Sequence, residues 1–223
     1  YGIDTVRLFL MSIASPDKDT EWNDNGVEGS LRFVKKIMEV IPKIKKGKSS
    51  KIIESKINKT IKEISNEITD FRYNIAIIKL RGFFEAIESE KEVAKKDIES
   101  FLKILSLFAP HISEELWEKI GNKGFISLEK WPEMDEKKID LNLEKREEAL
   151  DKTISDVLNI LKIIKEKNGK AERVYLYVIP NELSVYNSDI LTKRIGKEIK
   201  VYAVNDKNKY DPENKSGKAK LGR

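Results

Sequence analysis

Few side chains in this sequence are suited to making or breaking covalent bonds. The chain has no cysteine and a single histidine, His111. Disulfides and thiolate zinc sites are therefore excluded, and the usual transition-metal ligand sets cannot be assembled. His111 follows Pro110 at a predicted helix start, where capping or packing explains it better than a Ser-His-Asp triad does. Glu114 and Glu115 are interpreted as a solvated face near a helix N-terminus, where carboxylates are favoured, and not as a general acid and base.

Phosphate-cradling motifs are missing as well. Neither G-x-x-x-x-G-K-[ST] nor G-x-G-x-x-G occurs in the sequence. By its own residues, the chain does not resemble a catalyst. The chemistry that its residues do favour is the binding of a polyanion.

The charge of the chain is unevenly distributed. A basic stripe from Arg32 to Lys62 contains 11 basic residues and only two acidic ones, Glu39 and Glu54. Residues 144–223 hold 18 basic and 13 acidic residues, whereas residues 1–143 hold 25 of each. Clustered cations of this kind are typical of nucleic-acid binding. The alternative is that lysines simply decorate solvated helix faces.

Composition indicates a globular chain with room for two modest domains. The 223 residues are 39% hydrophobic and 36% charged. No apolar run approaches the roughly 20 residues of a membrane span. The lack of cysteine fits a cytoplasmic protein, and a chain that starts at Tyr1 and stops at Arg223 in a Lys-rich segment is interpreted as part of a longer polypeptide.

Helical periodicity dominates up to about residue 168. Asp4 is predicted to cap a first helix that runs to Ala14 and is apolar around most of its circumference. Asn74 is placed to cap a fourth helix, and Gly121 to end a short helix that begins after Pro110. The seams expected to form the core are Val27, Leu31, Val34, Met38 and Ile41; Ile53, Ile57, Ile61, Ile64 and Ile68; Ile77, Leu80, Phe84 and Ile87; and Ile98, Leu102, Leu105 and Ala109.

The acidic loop before the second helix contains an isolated tryptophan. We expect Trp22 to anchor this loop on the ends of the first two helices. Gly26 and Gly29 are interpreted as residues of a tight turn. The same interpretation pairs Arg7 and Arg32 with carboxylates of the loop, at Asp19, Glu21 or Asp24.

The pattern changes in the C-terminal third. Residues 122–143 are predicted to form an irregular strap anchored by Ile139, Leu141 and Leu143. A helix follows, with its seam at Leu150, Ile154, Val157, Leu161 and Ile164 and its end at Asn168-Gly169. Residues 173–179 and 198–204 alternate as strands around a helix at 188–195 capped by Ser188, which predicts two parallel strands joined by a right-handed crossover. Two interpretations of the strand tyrosines Tyr175 and Tyr177 are stacking on bases and packing; packing is favoured, because tyrosines that alternate along strands more often pack. The tail after Asn205 is interpreted as flexible and basic.

Several of these segments resemble successive landmarks of the class I aminoacyl-tRNA synthetases. They are Y-G-I-D-T-V-R-L-F-L at 1–10, E-W-N-D-N-G-V-E-G-S-L-R-F-V at 21–34, F-R-Y-N-I-A-I at 71–77, L-F-A-P-H-I-S-E-E-L-W at 107–117 and K-W-P at 130–132. The P-H-I-x-E-E-L-W segment is shared across the leucyl, isoleucyl, valyl and methionyl enzymes. The block after Trp22 resembles the leucyl enzymes specifically, and the α/β unit with the tail K-A-K-L-G-R resembles their archaeal branch.

The resemblance implies a mainly α fold, in which an antiparallel helix bundle of the class I anticodon-binding superfamily precedes a small α/β domain. It divides the chain into a stem-contact segment with the acidic loop at 1–26, the bundle at 27–143, and a tRNA-binding domain with a basic tail at 144–223. The H-I-G-H and K-M-S-K-S signatures that bind ATP in this class, and the editing domain, do not occur here. In the family they lie upstream of a segment like that at Tyr1, so we expect ATP and Mg²⁺ to be used only by the full-length enzyme and no cofactor to bind this part.

The expected partner is tRNA(Leu), besides the catalytic part of the same synthetase, and the resemblance favours a monomer. RNA duplexes are recognised mostly through shape, phosphates and 2′-hydroxyls, which suits lysines. The alternatives are the helical domain of another class I synthetase (Ile, Val or Met) and a non-catalytic helical scaffold for a protein partner. The candidate tRNA-binding residues are Arg32, Lys35, Lys36, Lys43, Lys45, Lys46, Lys48 and Arg72 in the bundle and Lys193, Arg194, Lys197 and Lys200 in the C-terminal unit.

Overall fold

The structure, a computed structural model, describes residues 1–167 and 169–212. It consists of two compact units, Tyr1–Asp140 and Leu141–Arg223. The first is entirely helical apart from its connections, and the second combines helices with a small sheet. The predicted fold class, mainly α with a small α/β part at the C-terminal end, is confirmed. Within the described ranges, we find no helix with the length and apolar character that crossing a bilayer requires.

Six α-helices build the first unit. They are α1 (Ile3–Ile13), α2 (Asp24–Val40), α3 (Lys51–Thr69), α4 (Tyr73–Glu88), α5 (Lys95–Phe108) and α6 (Pro110–Lys119). Short 3-10 turns follow α2 at Ile41–Lys43 and punctuate the strap at Ile126–Leu128 and Glu136–Lys138.

The predicted seams form the core of this unit. The α3 isoleucines from Ile53 to Ile64 and all four predicted residues of α5 are buried in one cluster. This agreement follows from the 3.6-residue period, which places such residues on one helix face. Of the predicted α2 seam, Val27, Val34 and Ile41 are buried, whereas Leu31 and Met38 lie at its edge. Phe33 and Ile37, which were not predicted, are buried beside them.

The prediction for α1 was wrong in two respects. Leu8 and Phe9 are buried, but Leu10 is 51% exposed, so α1 buries one face only. Asp4 does not cap its own helix, in which Gly2 is the N-cap residue. Its buried carboxylate instead accepts hydrogen bonds from the Ile112 backbone N–H, at 2.8 Å, and from His111 Nδ1, at 2.8 Å. Asp4 therefore caps the N-terminus of α6 from a different helix.

The glycines after Trp22 do not form a turn. Both lie inside α2, which Asn23 caps through a bond from the Gly26 N–H to its side chain. A Cβ atom on Gly26 would lie 2.5 Å from Phe9 Cε2, so this glycine allows α1 and α2 to approach closely. Trp22 packs edge-on against Phe9 at 5.3 Å, as an anchor should, but remains 54% exposed.

The end of α3 carries an unusual residue. Phe71 N–H donates to Ile68 O and Arg72 N–H to Glu67 O, the two bonds of a Schellman motif. Phe71 has φ of 57° at the position where glycine normally stands, and its side chain is 65% exposed. The predicted cap Asn74 lies inside α4, which has no side-chain cap. The helix boundary is set by the turn at Phe71 and not by an Asn cap.

The strap from residue 122 to residue 140 is held by other residues than predicted. Ile126 and Pro132 are buried and Met134 packs on the core, whereas Ile139 is half-buried and Leu141 is the exposed first residue of the next helix. Two predictions around α6 are confirmed: the helix is short, and Gly121 follows its end with φ of 85°. The helix was predicted to begin after Pro110, but Pro110 is its first residue.

The second unit contains α7 (Leu141–Glu166), β1 (Arg173–Val178), α8 (Ser188–Ile195) and β2 (Glu198–Ala203). The strands pair in parallel, as predicted, with Tyr175 opposite Lys200 and Tyr177 opposite Tyr202. Asn187 caps α8, one residue before the predicted Ser188. Asn168 and most of the basic tail, including K-A-K-L-G-R, lie outside the described residues. The buried core consists of Leu150, Ile154, Val178, Tyr186, Leu191, Ile195 and Ile199.

Candidate nucleic-acid interface

The connector between α2 and α3 presents the densest group of predicted site residues. It runs beside the segment that joins α4 to α5, with Gly47 N–H donating to Val93 O and Val93 N–H to Lys45 O, each at 3.0 Å. The side chains of Lys43, Lys45 and Lys48 are exposed. Lys46 is partly engaged in the fold, because its ammonium donates to Ile120 O at 2.6 Å.

Carboxylates from other elements lie against the basic stripe at residues 32–62. Lys45 Nζ is 3.1 Å from Glu92, and Lys36 Nζ is 2.6 Å from Glu88 at the end of α4. Lys45 and the Lys48 backbone hold the pKa of Glu92 below its usual value, so this carboxylate stays ionised. The excess of positive charge counted along the sequence is therefore smaller on the folded surface.

Other predicted bundle residues also have acidic neighbours. Lys43 pairs with Glu39 at 3.0 Å and Arg32 with Glu28 at 3.8 Å, each one helical turn away. Arg72 lies 2.6 Å from Glu67 and 2.7 Å from Asp70. Among the described residues, Lys35 and the ammonium of Lys48 have no carboxylate within ion-pair distance.

In the second unit the four predicted residues fall into two pairs. Arg194 contacts Asp151 at 2.7 Å and Glu147 at 3.6 Å, which fixes α8 on α7. Lys200 is 3.9 Å from Glu198. Lys193, on α8, and Lys197, just after it, are exposed and meet no carboxylate within the described part of the chain. Arg194 is paired with carboxylates of α7, whereas Lys193 and Lys197 are not, and its predicted role in tRNA binding stays a prediction.

These ion pairs do not prevent binding to a polyanion. The Lys43 and Glu39 side chains are each 70% exposed. Pairs of this kind stabilise a fold by only about 0 to 1 kcal/mol, so a phosphate can replace the carboxylate at little cost. The connector offers cations that can be exchanged, and Lys35, Lys48, Lys193 and Lys197 offer cations without a local competitor.

The connector is held in place by a buried polar contact. Ser49 Oγ donates to Asp97 Oδ2 in α5 and accepts from the Ala94 backbone N–H at 3.0 Å. Both Ser49 and Asp97 are buried. This contact fixes the chain next to Lys48 and positions the cations of the connector.

The buried Asp97 predicts a dependence of stability on pH. Burial raises the pKa of its carboxyl, although Ser49 and Lys96 act in the opposite direction. The folded chain then binds this proton more tightly than the unfolded chain. The contribution of Asp97 to stability therefore decreases as the pH rises from the carboxyl's pKa in the unfolded chain to its higher pKa in the folded chain. We expect the unfolding free energy of Asp97→Asn, relative to that of the parent chain, to increase as the pH rises from about 3.9, the ordinary pKa of an aspartate carboxyl, to neutral pH. A difference that stays constant in urea titrations across this range would contradict the assignment.

The residues suspected of chemistry have structural roles. His111 and Asp4 join α6 to α1. Glu114 is not simply solvated, because its carboxylate accepts from the backbone N–H groups of Ile126 and Ser127 and so ties the strap to α6. These bonds outweigh the effect of burial and lower the pKa of Glu114. In the part of the chain that the structure describes, we find no group of three His, Cys, Asp or Glu residues that could hold a metal ion.

Residues 50–176 match the family described as the anticodon-binding domain of tRNA ligase. The chain belongs to this family. The matched residues include the connector end at Ser50, α3 to α7, and most of β1. Of the twelve predicted site residues, only Arg72 falls within residues 50–176, and the other eleven lie outside the match.

The similar proteins include leucine–tRNA ligases from two bacteria. A leucine–tRNA ligase of Prochlorococcus marinus subsp. pastoris is 42% identical over 153 residues, and one of Rickettsia bellii is 36% identical over 153 residues. The alignments cover 61% and 64% of this chain. The chain spans 18% of the length of each relative. The compared region is thus the anticodon-binding-domain region of leucine–tRNA ligases.

A solved structure was also compared with the chain. It is described as the ternary complex of Agrobacterium radiobacter K84 agnB2 LeuRS with tRNA and LeuAMS. The TM-score is 0.49 at 18% sequence identity, covering 61% of this chain and 20% of the other.

Sequence reasoning missed two features of the surface. The carboxylates of Glu88 and Glu92 reach the stripe from residues more than 40 positions away, so a local count of charges could not include them. Tyr175 and Tyr177 were interpreted as packing residues; they do pack, but on Tyr202, on the sheet face that points away from the core. The alternation of tyrosines in both strands was the signal for that face.

Proposed function

We propose that this chain is the tRNA-binding, C-terminal region of a leucyl-tRNA synthetase. In the whole enzyme it positions tRNA(Leu) while a catalytic domain outside this chain uses leucine, ATP and Mg²⁺ to form leucyl-tRNA. The observation that carries the proposal is the family match over residues 50–176, together with leucine–tRNA ligases that are 36% and 42% identical to this chain over 153 residues. The relatives give no support to an isoleucyl, valyl or methionyl enzyme or to a protein scaffold.

The branch of the enzyme, its location and its oligomeric state are supported differently from the family assignment. The relatives described above are bacterial, and they give no support to the archaeal type that the tail resembles. We therefore limit the proposal to a leucyl-tRNA synthetase without assigning its branch. A cytoplasmic location and a monomeric state belong to the proposal and follow from the same family resemblance.

The proposed role is to hold RNA by its backbone. Lysine ammonium groups on long, flexible side chains suit phosphates, whose positions in a duplex are set by helix geometry and not by base sequence. Lys35 and Lys48 in the bundle and Lys193 and Lys197 in the second unit are exposed enough for such contacts. Residues of this kind bind and orient the tRNA but take no part in bond formation.

The proposal is tested by measuring the affinity of the chain for purified tRNA(Leu) and for tRNA(Ile), tRNA(Val) and tRNA(Met) at several salt concentrations. We expect salt-dependent binding with a preference for tRNA(Leu). Equal affinity for all four would contradict the leucyl assignment, and no salt-dependent RNA binding would contradict the proposed function as a whole and favour a protein scaffold.

A triple substitution tests whether the connector takes part. Lys43, Lys45 and Lys48, each changed to Glu, should weaken tRNA binding and flatten the plot of log affinity against log salt by roughly 2, because each lost phosphate contact removes somewhat under 1. Lys46 is left unchanged because it bonds to Ile120 O. The matched control changes three exposed lysines elsewhere in the same unit, Lys18, Lys123 and Lys137, to Glu. Equal losses in both variants would remove the connector from the interface.

A further inference from the structure

The outer face of the β1–β2 sheet is lined with tyrosines. Val174, Leu176 and Val178 of β1 turn toward the hydrophobic core with Ile199 and Val201 of β2. Since successive strand residues point to opposite faces, the intervening residues share the other face. That face presents Tyr175, Tyr177 and Tyr202, together with Arg173, Glu198 and Lys200. A sheet face turned away from the core is usually polar, so three aromatic rings in six positions need an explanation.

The rings form one continuous surface. Tyr202 lies 6.4 Å from both Tyr175 and Tyr177, with the ring planes 21° and 25° apart. Tyr210, which follows the second strand, lies 4.7 Å from Tyr175 and is 54% exposed. The three strand tyrosines are only half-buried. We call Tyr175, Tyr177, Tyr202 and Tyr210 the tyrosine face.

The tyrosine face is held in place from within the unit. The Tyr177 hydroxyl donates to Tyr210 O, which fixes the segment after β2 at the edge of the face. Arg173 interacts with Tyr175 and with Glu198, and these contacts raise the pKa of Arg173, so it stays charged. The rings are therefore positioned before any ligand arrives, which reduces the entropy lost on binding.

The charges around the tyrosine face favour an anionic ligand with flat, apolar groups. Lys200 stands opposite Tyr175 in the strand register, with an ammonium that is 3.9 Å from Glu198. Lys197 is exposed at the start of β2. Glu198 and Asp211 are the acidic neighbours, and Glu198 is already paired with Arg173 at 2.8 Å. Aromatic rings beside lysines are the combination that single-stranded nucleic acids use, with bases on the rings and phosphates on the cations.

We infer that the tyrosine face stacks unpaired nucleobases of RNA. This inference rests on the proposed function and extends it, because the lysines account for contacts to phosphates whereas the tyrosine face would read exposed bases at a loop or an end. Bases that are unpaired are the part of an RNA that aromatic side chains can reach. Stacking of this kind tolerates many base sequences, since every base has a flat face.

The test uses the 223-residue chain and two RNAs, an eight-nucleotide oligoadenylate and tRNA(Leu). Tyr175→Leu and Tyr202→Leu remove a ring, and Tyr175→Phe and Tyr202→Phe keep it. We expect each leucine variant to bind the oligoadenylate about tenfold more weakly than the parent chain, and each phenylalanine variant to bind it within about twofold. Leucine variants that bind like the parent, or phenylalanine variants that lose as much as the leucine variants, would overturn the inference.

A measurement on the unaltered chain removes the dependence on folding of the variants. With the tyrosine rings labelled with ¹³C, the oligoadenylate should shift the ring signals of Tyr175, Tyr177 and Tyr202 and leave that of Tyr186, buried in the core, unmoved. The absence of these shifts at saturating RNA would overturn the inference. If tRNA(Leu) still binds under the same conditions, the proposed function survives that result, whereas a chain that binds neither RNA contradicts both.

Discussion

Replacement of Asp4 by alanine is expected to lower the free energy of unfolding of the unit Tyr1–Asp140 by about 2 to 3 kcal/mol. The loss has two sources. The partly buried Ile112 N–H, at the start of α6, would lose its acceptor, and the positive end of that helix would lose a negative charge.

Urea denaturation followed by tryptophan fluorescence measures this effect selectively. All three tryptophans, Trp22, Trp117 and Trp131, belong to the first unit, so their emission reports on that unit alone. Asp4→Asn keeps an oxygen acceptor but not the charge, and it should cost about 1 kcal/mol. His111→Ala serves as the second control, because the imidazole is 72% exposed and its removal should cost little. Equal stability of Asp4→Ala and the parent chain would mean that the carboxylate does not cap α6.

Gly26→Ala is expected to destabilise the same unit by about 1 to 2 kcal/mol, although alanine is the better helix former. The added Cβ would lie 2.5 Å from Phe9 Cε2. Phe9 is buried, and its ring is flanked by Trp22, so it cannot move away without loss of packing. Overpacking of this kind exceeds the gain of up to about 1 kcal/mol that alanine brings to a helix.

Gly29 provides the matched control, since it lies one turn further along α2. The closest atom to its added Cβ is a guanidinium nitrogen of Arg32 at 3.8 Å, an ordinary contact. Gly29→Ala should therefore stabilise the unit by up to about 1 kcal/mol. In a double-mutant cycle, Phe9→Leu should recover part of the loss caused by Gly26→Ala. If both glycine variants are stabilised alike, the close approach of α1 and α2 at Gly26 is not a constraint.

Features that repeat along the chain could be predicted from the sequence. The isoleucines of α3 and the parallel strands around α8 follow from periods of 3.6 and 2 residues, which depend on residues near one another in the chain. Helix caps were predicted less well. Asp4, Asn74 and Ser188 have the residue types of caps, but whether such a side chain caps its own helix depends on tertiary contacts and on the turn that precedes it.

The charge of the candidate interface could also be predicted only in part. The basic stripe is evident in the sequence, and its connector lysines are exposed. The opposing carboxylates of Glu88 and Glu92 become neighbours only when α4 and the segment after it pack beside the connector. Gly26 was assigned to a turn because the ring that requires a glycine there belongs to α1.

The bond from Asp4 to α6 also bears on the order in which the first unit assembles. It joins residues 108 positions apart, and α1 packs on α4, α5 and α6 as well as on its neighbour α2. Closing so long a segment of chain costs entropy that is recovered only when the distant partners are present. During synthesis, α1 leaves the ribosome before the other helices of this unit, but its Asp4 carboxylate can cap α6 only after α6 has emerged. The part of α1 that packs on α5 and α6 is therefore covered only after those two helices have been synthesised.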